Sequence, residues 1–292
     1  MAQEINLETV AEQNTTESQR EIFDVLQHHL QSANNTHQDS SALTTAIQQL
    51  AAAQPSRDVA SGFLWDLWMV VVDLAYLIPP DHPWQDTLTG AIQTLRRTGG
   101  PIGAAKKVGL QTTDTPPSPT SPQVDDALLW EDLPHLAEYL LDKWIDPTEL
   151  DGWTPQDVTA WRNLNSFVVR FTAEDFAPWL NFPAWQLQGA LDEPLDGGPV
   201  LESRLWVATE WGARCGGLVF RDVLAPGPKG DAVGEETAER GRGRLRRWKE
   251  RLSEVLGDRE RLGVDAVLAD RMERAVRKME EFENGGSVLC TN

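Results

Sequence analysis

Residues 63–88 read FLWDLWMVVVDLAYLIPPDHPWQDTL, and the run from Phe63 to Ile78 holds two charged side chains, Asp66 and Asp73. Sixteen residues fall short of the roughly 20 that a bilayer-crossing helix needs. Two carboxylates lie inside the run, which makes a lipid environment costly. Pro79-Pro80 then closes it, because the proline ring and the missing N–H end a helix. The stretch therefore reads as the core of a helix over about 57 to 78 in an all-helical protein.

Outward from that helix, apolar residues recur at helical spacing rather than alternating, and no Val/Ile/Thr-rich run is bounded by hairpin dipeptides. The spacing predicts helices over about 17–31, where Ile22, Val25, Leu26 and Leu30 form one stripe, over about 40–53, and from the PPDHP segment to about Arg97. Further helices are expected over about 128–145, 154–172, 180–191, 199–224, 239–257 and 262–283. No repeat of fixed period occurs, so the expected fold is all-α, an irregular bundle of roughly ten helices in a single domain spanning residues 1–292. Gly, Pro, Ser and Thr crowd residues 98–126, which marks a flexible loop. Ser118 and Ser121 in it each precede proline, the pattern of a proline-directed phosphorylation site.

Composition narrows the function classes. A formal charge of −19 argues against general nucleic-acid binding, which needs clustered Lys and Arg. The charge is uneven: residues 235–283 hold thirteen basic and thirteen acidic side chains, so the whole excess lies outside them. The first residues show neither a basic start nor an apolar stretch, so a cytoplasmic protein with no membrane partner is expected. The two cysteines, Cys215 and Cys290, are too few for a disulfide framework or a structural zinc site. His28, His29, His37, His82 and His135 form no metal-binding motif, so no metal is expected. No cofactor is expected either, since G-x-G-x-x-G, Walker A and G-x-S-x-G patterns are all missing. The stretch DDALLWED lacks the D-D-x-x-D of a magnesium-dependent terpene cyclase.

Candidate site residues come from two sources. Asp66 and Asp73, seven residues apart, share one helix face about 10 Å apart along the axis. They either flank a ligand or meet basic partners such as Arg96, Arg97, Arg162, Arg170 or Arg214. Twelve tryptophans in 292 residues is the most unusual feature of the composition. Indoles fill cores and helix junctions, and they also wall pockets for flat or cationic ligands. Trp65, Trp68, Trp161, Trp206 and Trp211, with Asp66, Asp73 and Arg214, are the candidate ligand-binding set.

In LESRLWVATEWGARCGGLVFRD, Leu201, Leu205, Ala208, Gly212, Cys215 and Val219 form a stripe that narrows to small residues, as close helix contact or ligand space would require. Cys215 has no histidine near it in sequence and reads as an inert buried thiol. In residues 235–284, Leu245, Trp248, Leu252 and Val255 face Val264, Leu268, Met272, Ala275 and Met279 in pattern, which predicts a helical hairpin docked on the body. Its arginines are expected to meet the acidic body or an acidic protein partner.

The opening stretch, together with LLWEDLPHLAEYLLDKW, WRNLNSFVVRFTA, AWQLQGALDE, LWVATEWGARCGG and RRWKERL, resembles in order and spacing a fungal family catalogued as domain of unknown function 3632, over about residues 20–283. GRGRLRRWKERL is less aromatic than the family's usual pattern. The resemblance implies a helical fold and a fungal cytosolic setting, in some cases near secondary-metabolite genes, and brings no catalytic residues. The functional expectation is binding of an apolar or aromatic small molecule in a tryptophan-lined cavity, with cofactor-independent cyclisation or isomerisation if the ligand is turned over. The alternative is a non-catalytic scaffold for protein partners.

Overall fold

The computed structural model describes residues 5–32, 37–103, 127–173, 181–193, 197–224 and 233–284. Among them are twelve α-helices and no strand, and one isolated antiparallel bridge joins Pro101 to Leu129. The residues cluster into two compact units, Met1–Ile145 and Asp146–Asn292, each described by itself. Most of the loop expected over 98–126, with Ser118 and Ser121, lies outside the described residues, as do Trp179 and Cys290.

The first unit contains α1 (Glu8–Gln13), α2 (Glu17–Ser32), α3 (His37–Ala52), α4 (Arg57–Leu77), α5 (Pro83–Thr98) and α6 (Leu136–Lys143). Helix α4 starts where Ser56, in extended conformation, accepts the Val59 N–H at its side chain, and it stops at extended Ile78 before the proline pair. At 21 residues it is long and apolar enough to cross a bilayer by length and composition. What marks it as a core helix is burial: Phe63, Leu64, Leu67, Trp68, Val70, Val71, Val72 and Leu74 are all enclosed. Each such side chain stabilises by roughly 1.5–3 kcal/mol on full burial. Helices α1, α2 and α6 pack on α4, and α3 packs on α2 and α5.

The single helix expected over 128–145 is a correction. The segment forms a 3-10 turn at Trp130–Asp132, then a left-handed corner, then the eight-residue α6. Pro134 is the physical cause, since its ring cannot continue the helix and restricts the residue before it. Upstream, the Ile102 N–H bonds Leu128 and the Trp130 N–H bonds Gly100, so residues 100–102 and 128–130 are tied together.

The second unit contains α7 (Pro155–Ala173), α8 (Asn181–Leu191), α9 (Gly198–Leu224), α10 (Val233–Gly257), α11 (Arg259–Leu262) and α12 (Ala266–Glu283). Helix α9 is its centre, and α7, α8, α10 and α12 all pack against it. Gly212 faces α12: a Cβ placed there would sit at ordinary contact distance, 3.7 Å from the Ala275 Cβ. At Cys215 the helix kinks, with φ −129° and ψ 22°. Helices α10 and α12 pack on each other and on α9, and Leu245, Trp248, Leu252, Leu268, Met272 and Met279 are buried.

Candidate functional site

In the first unit, Ser61, Trp65 and Trp68 follow one another at helical spacing along α4 and all reach the segment 133–139. Trp68 is 0% exposed, and its indole N–H donates to the Pro134 carbonyl at 2.7 Å. Trp65, by contrast, is 38% exposed. Its ring stacks on His135 with centroids 5.0 Å apart and planes 21° from parallel, and meets Tyr139 edge-on at 6.1 Å. His135 Nε2 lies 2.8 Å from the Ser61 hydroxyl, and His135 Nδ1 lies 3.2 Å from a Glu138 carboxylate oxygen. A carboxylate accepts the Nδ1–H, which in the neutral ring leaves the Nε2 lone pair to accept the Ser61 proton.

The backbone that presents this imidazole is strained. Leu133 at φ 43° and His135 at φ 70° are the non-glycine residues with positive φ among those described. Such conformations cost of the order of 1–3 kcal/mol each and persist where surrounding contacts enforce them. The partly buried Trp68–Pro134 bond sits between the two and is one such contact.

Farther along α4 the two aspartates have different surroundings. Asp66 accepts the Gln19 side-chain amide at 2.9 Å, a tie to α2. Asp73 is half-buried and has no hydrogen-bond or ion-pair partner among the described residues. Burial pushes its carboxyl up to about 6, against the opposing pull of the Lys143 charge. Tyr76 and Tyr139 stand near it: burial and the charges of Asp73 and Asp142 push the Tyr76 hydroxyl up to about 12, and burial with the same groups raises Tyr139. The Tyr76 hydroxyl donates to the Lys143 carbonyl at 3.3 Å, and the Lys143 ammonium lies 5.4 Å from the Tyr139 ring centre. Neither aspartate meets an arginine among the described residues.

The remaining candidates, Trp161, Trp206, Trp211 and Arg214, belong to α7 and α9 of the second unit. Of these, Arg214 pairs with Glu210, which is 3% exposed. Its carboxylate accepts from the Ser166 hydroxyl at 2.7 Å and from Arg214 and Arg271 at 2.5 Å each. Burial alone would raise this carboxyl, but Arg214 and Arg271 outweigh it and hold it down at about 2. Trp206 lies under the Arg271 guanidinium at 4.3 Å, and Trp211 donates to Asn165 at 2.9 Å. Trp161 is buried, and its carbonyl accepts the Asn165 amide at 2.9 Å. Arg214 thus neutralises a buried acid in a network that knits α7, α9 and α12 together. A cleft of about 200 Å³ in the same unit is lined by Leu201, Arg251, Glu254, Val255, Asp258, Arg261 and Leu262, with no tryptophan in its wall.

Sequence reasoning picked Trp65 and Trp68 but missed the side chains they hold. Ser61 and His135 are 74 residues apart, and His135 was weighed only as a metal ligand. The available signal was Leu-Pro-His at 133–135 inside an expected helix, a local conflict of the sort that strained functional segments produce. Residues 68–252 match the family model described as "Protein of unknown function (DUF3632)". The matched span takes in His135 and Glu138 and begins after Ser61 and Trp65. No curated protein and no solved structure matches the chain.

Proposed function

We propose, for a chain that belongs to the DUF3632 family of proteins of unknown function, that it binds a small aromatic molecule on the shelf formed by Trp65, His135 and Tyr139 in its first unit. The observation that carries this reading is Trp65: a large apolar ring, 38% exposed, held in place by stacking on an imidazole rather than buried with its neighbour Trp68. An indole fixed in this way offers a flat surface at little further entropic cost to a ligand. Asp73 lies on α4, eight residues beyond Trp65, and its charge is felt at Tyr139 on α6. The site is thus an open seam between α4 and α6 rather than an enclosed cavity.

The test is titration of the full chain with a panel of aromatic metabolites, followed by intrinsic fluorescence and native mass spectrometry. Trp65→Ala is expected to weaken binding by at least tenfold, about 1.4 kcal/mol. Equal binding by wild type and variant would defeat the reading.

A scaffold role has one observation in its favour: Arg242, Arg244, Arg246 and Arg247 are all exposed along α10. An acidic protein partner would dock there, and Arg246→Glu with Arg247→Glu would abolish its capture at low salt.

A further inference from the structure

We infer that Ser61, His135 and Glu138 form a nucleophile, base and orienting carboxylate for acyl transfer, which makes the shelf the acyl- or alcohol-group site of an esterase; the inference rests on the proposed aromatic-binding role for Trp65. Four observations converge. The Ser61 hydroxyl lies 2.8 Å from His135 Nε2, within the reach a general base needs. Glu138 lies 3.2 Å from the other ring nitrogen and selects the tautomer whose Nε2 lone pair faces the serine. His135 is held in the left-handed region at φ 70°, one of the described places where this backbone departs from ordinary geometry. Beside the nucleophile, Gly62 is exposed and leaves open space: a Cβ there would meet nothing within 4 Å.

The chemistry is that of a serine esterase. Ser61 Oγ attacks the ester carbonyl carbon while its proton passes to His135 Nε2. The C–O bond to the alcohol breaks, and the leaving alkoxide takes that proton. Water, activated by the same nitrogen, then attacks the acyl-Ser61 ester, releasing the carboxylic acid and restoring the serine. Helix α6 begins at the residue after His135, and the N–H groups of a helix's first turn, which lack acceptors within the helix, are donors of the kind an oxyanion needs. Trp65, one turn beyond Ser61 on α4, selects aromatic esters over short aliphatic ones.

The experiment uses the full chain, a fluorophosphonate probe and p-nitrophenyl esters. Wild type is expected to form a covalent adduct mapped by peptide mass spectrometry to Ser61 and to hydrolyse p-nitrophenyl benzoate faster than p-nitrophenyl acetate. Ser61→Ala removes the adduct, and His135→Gln lowers kcat by about 10²–10⁴-fold. Glu138→Gln lowers kcat with KM unchanged, which a purely structural role would not produce. No adduct at Ser61 in the wild-type chain, or hydrolysis undiminished in Ser61→Ala, overturns the inference. Because a His135 variant can disturb the strained corner, Ser61→Ala, a one-atom deletion on a helix surface, is the deciding variant. The two readings fail separately. Aromatic binding lost in Trp65→Ala without any Ser61 adduct leaves the shelf and removes the esterase; an adduct with ligand binding unaffected by Trp65→Ala does the reverse.

Discussion

Replacing Asp73 with Asn removes a carboxylate whose charged form the fold disfavours, and the expected result is a more stable protein at neutral pH. Burial raises the Asp73 carboxyl from 3.8 to about 6. At about 1.4 kcal/mol per tenfold change in acidity, that rise corresponds to about 3 kcal/mol between the two protonation states. The group is only partly enclosed, so solvent screening reduces the effect to about 1–2 kcal/mol. The sign follows from proton binding. Between pH 3.8 and about 6 the folded state holds the proton more tightly than the unfolded chain, so stability falls as pH rises through that window. Below it both states are protonated and no penalty exists; above it the penalty is complete.

Asp73→Asn cannot ionise, so its advantage over wild type should be near zero at pH 3.5 and reach about 1–2 kcal/mol at pH 7.5. For a unit of this size that is a rise in Tm of about 3–6 °C. The assay is thermal unfolding of both proteins across that pH range, followed by circular dichroism and tryptophan fluorescence. Asp66→Asn is the control: its oxygen still accepts the Gln19 amide, so stability should change by less than about 0.5 kcal/mol. A destabilised Asp73→Asn at pH 7.5, or a difference independent of pH, would refute the reasoning and mark Asp73 as a structural anchor. The expected outcome instead identifies a residue kept at a cost to stability, as functional groups are.

Glu210→Gln removes the buried counter-charge of the partly exposed Arg214 and Arg271 and weakens their charge-assisted hydrogen bonds, which should cost about 1.5–3 kcal/mol at pH 7. Because the Glu210 carboxyl is held down at about 2, its contribution is present above about pH 4.5 and is lost as pH falls toward 2; urea unfolding at pH 7 and pH 3 would show the gap narrowing. Gly212→Ala should be neutral or stabilising by up to about 1 kcal/mol, since the added methyl meets Ala275 at ordinary contact distance, whereas Gly212→Leu should destabilise by about 1–3 kcal/mol. Equal tolerance of both in thermal melts would mean that α12 does not press on this point. Trp68→Phe keeps most of the buried ring but loses the bond to Pro134, an expected loss of about 1 kcal/mol accompanied by faster amide exchange at residues 133–139.

Most of the secondary structure was legible because its causes are local. The stripe in α2, the Ser56 cap and Pro79-Pro80 stop of α4, and the seam from Leu245 to Val255 each depend on residues within a few turns of one another. The exception over 128–145 was also local in origin. Pro134 is a local signal against a continuous helix, set among leucines and a tryptophan at helical spacing. Gly212 was ambiguous between helix contact and ligand space, and only the position of Ala275 on another helix decided it.

The candidate site was legible only in part, for a different physical reason. Composition singles out tryptophans but does not say which are buried: Trp65 and Trp68 are three residues apart and differ by the rotation of α4 against the corner at 133–135. Asp66 and Asp73 look alike in sequence and part ways because Gln19 reaches one and tyrosines surround the other. An imidazole becomes a base through its neighbours, and those of His135 lie three residues away at Glu138 and 74 residues away at Ser61. Sequence by itself determined that this chain is helical, where most helices begin and end, and which faces are apolar, since short-range sterics and hydrophobic periodicity decide those. Which helices meet, which carboxylate is left without a partner among the described residues, and which serine faces which histidine were decided only by tertiary packing, because each depends on distances between residues remote along the chain.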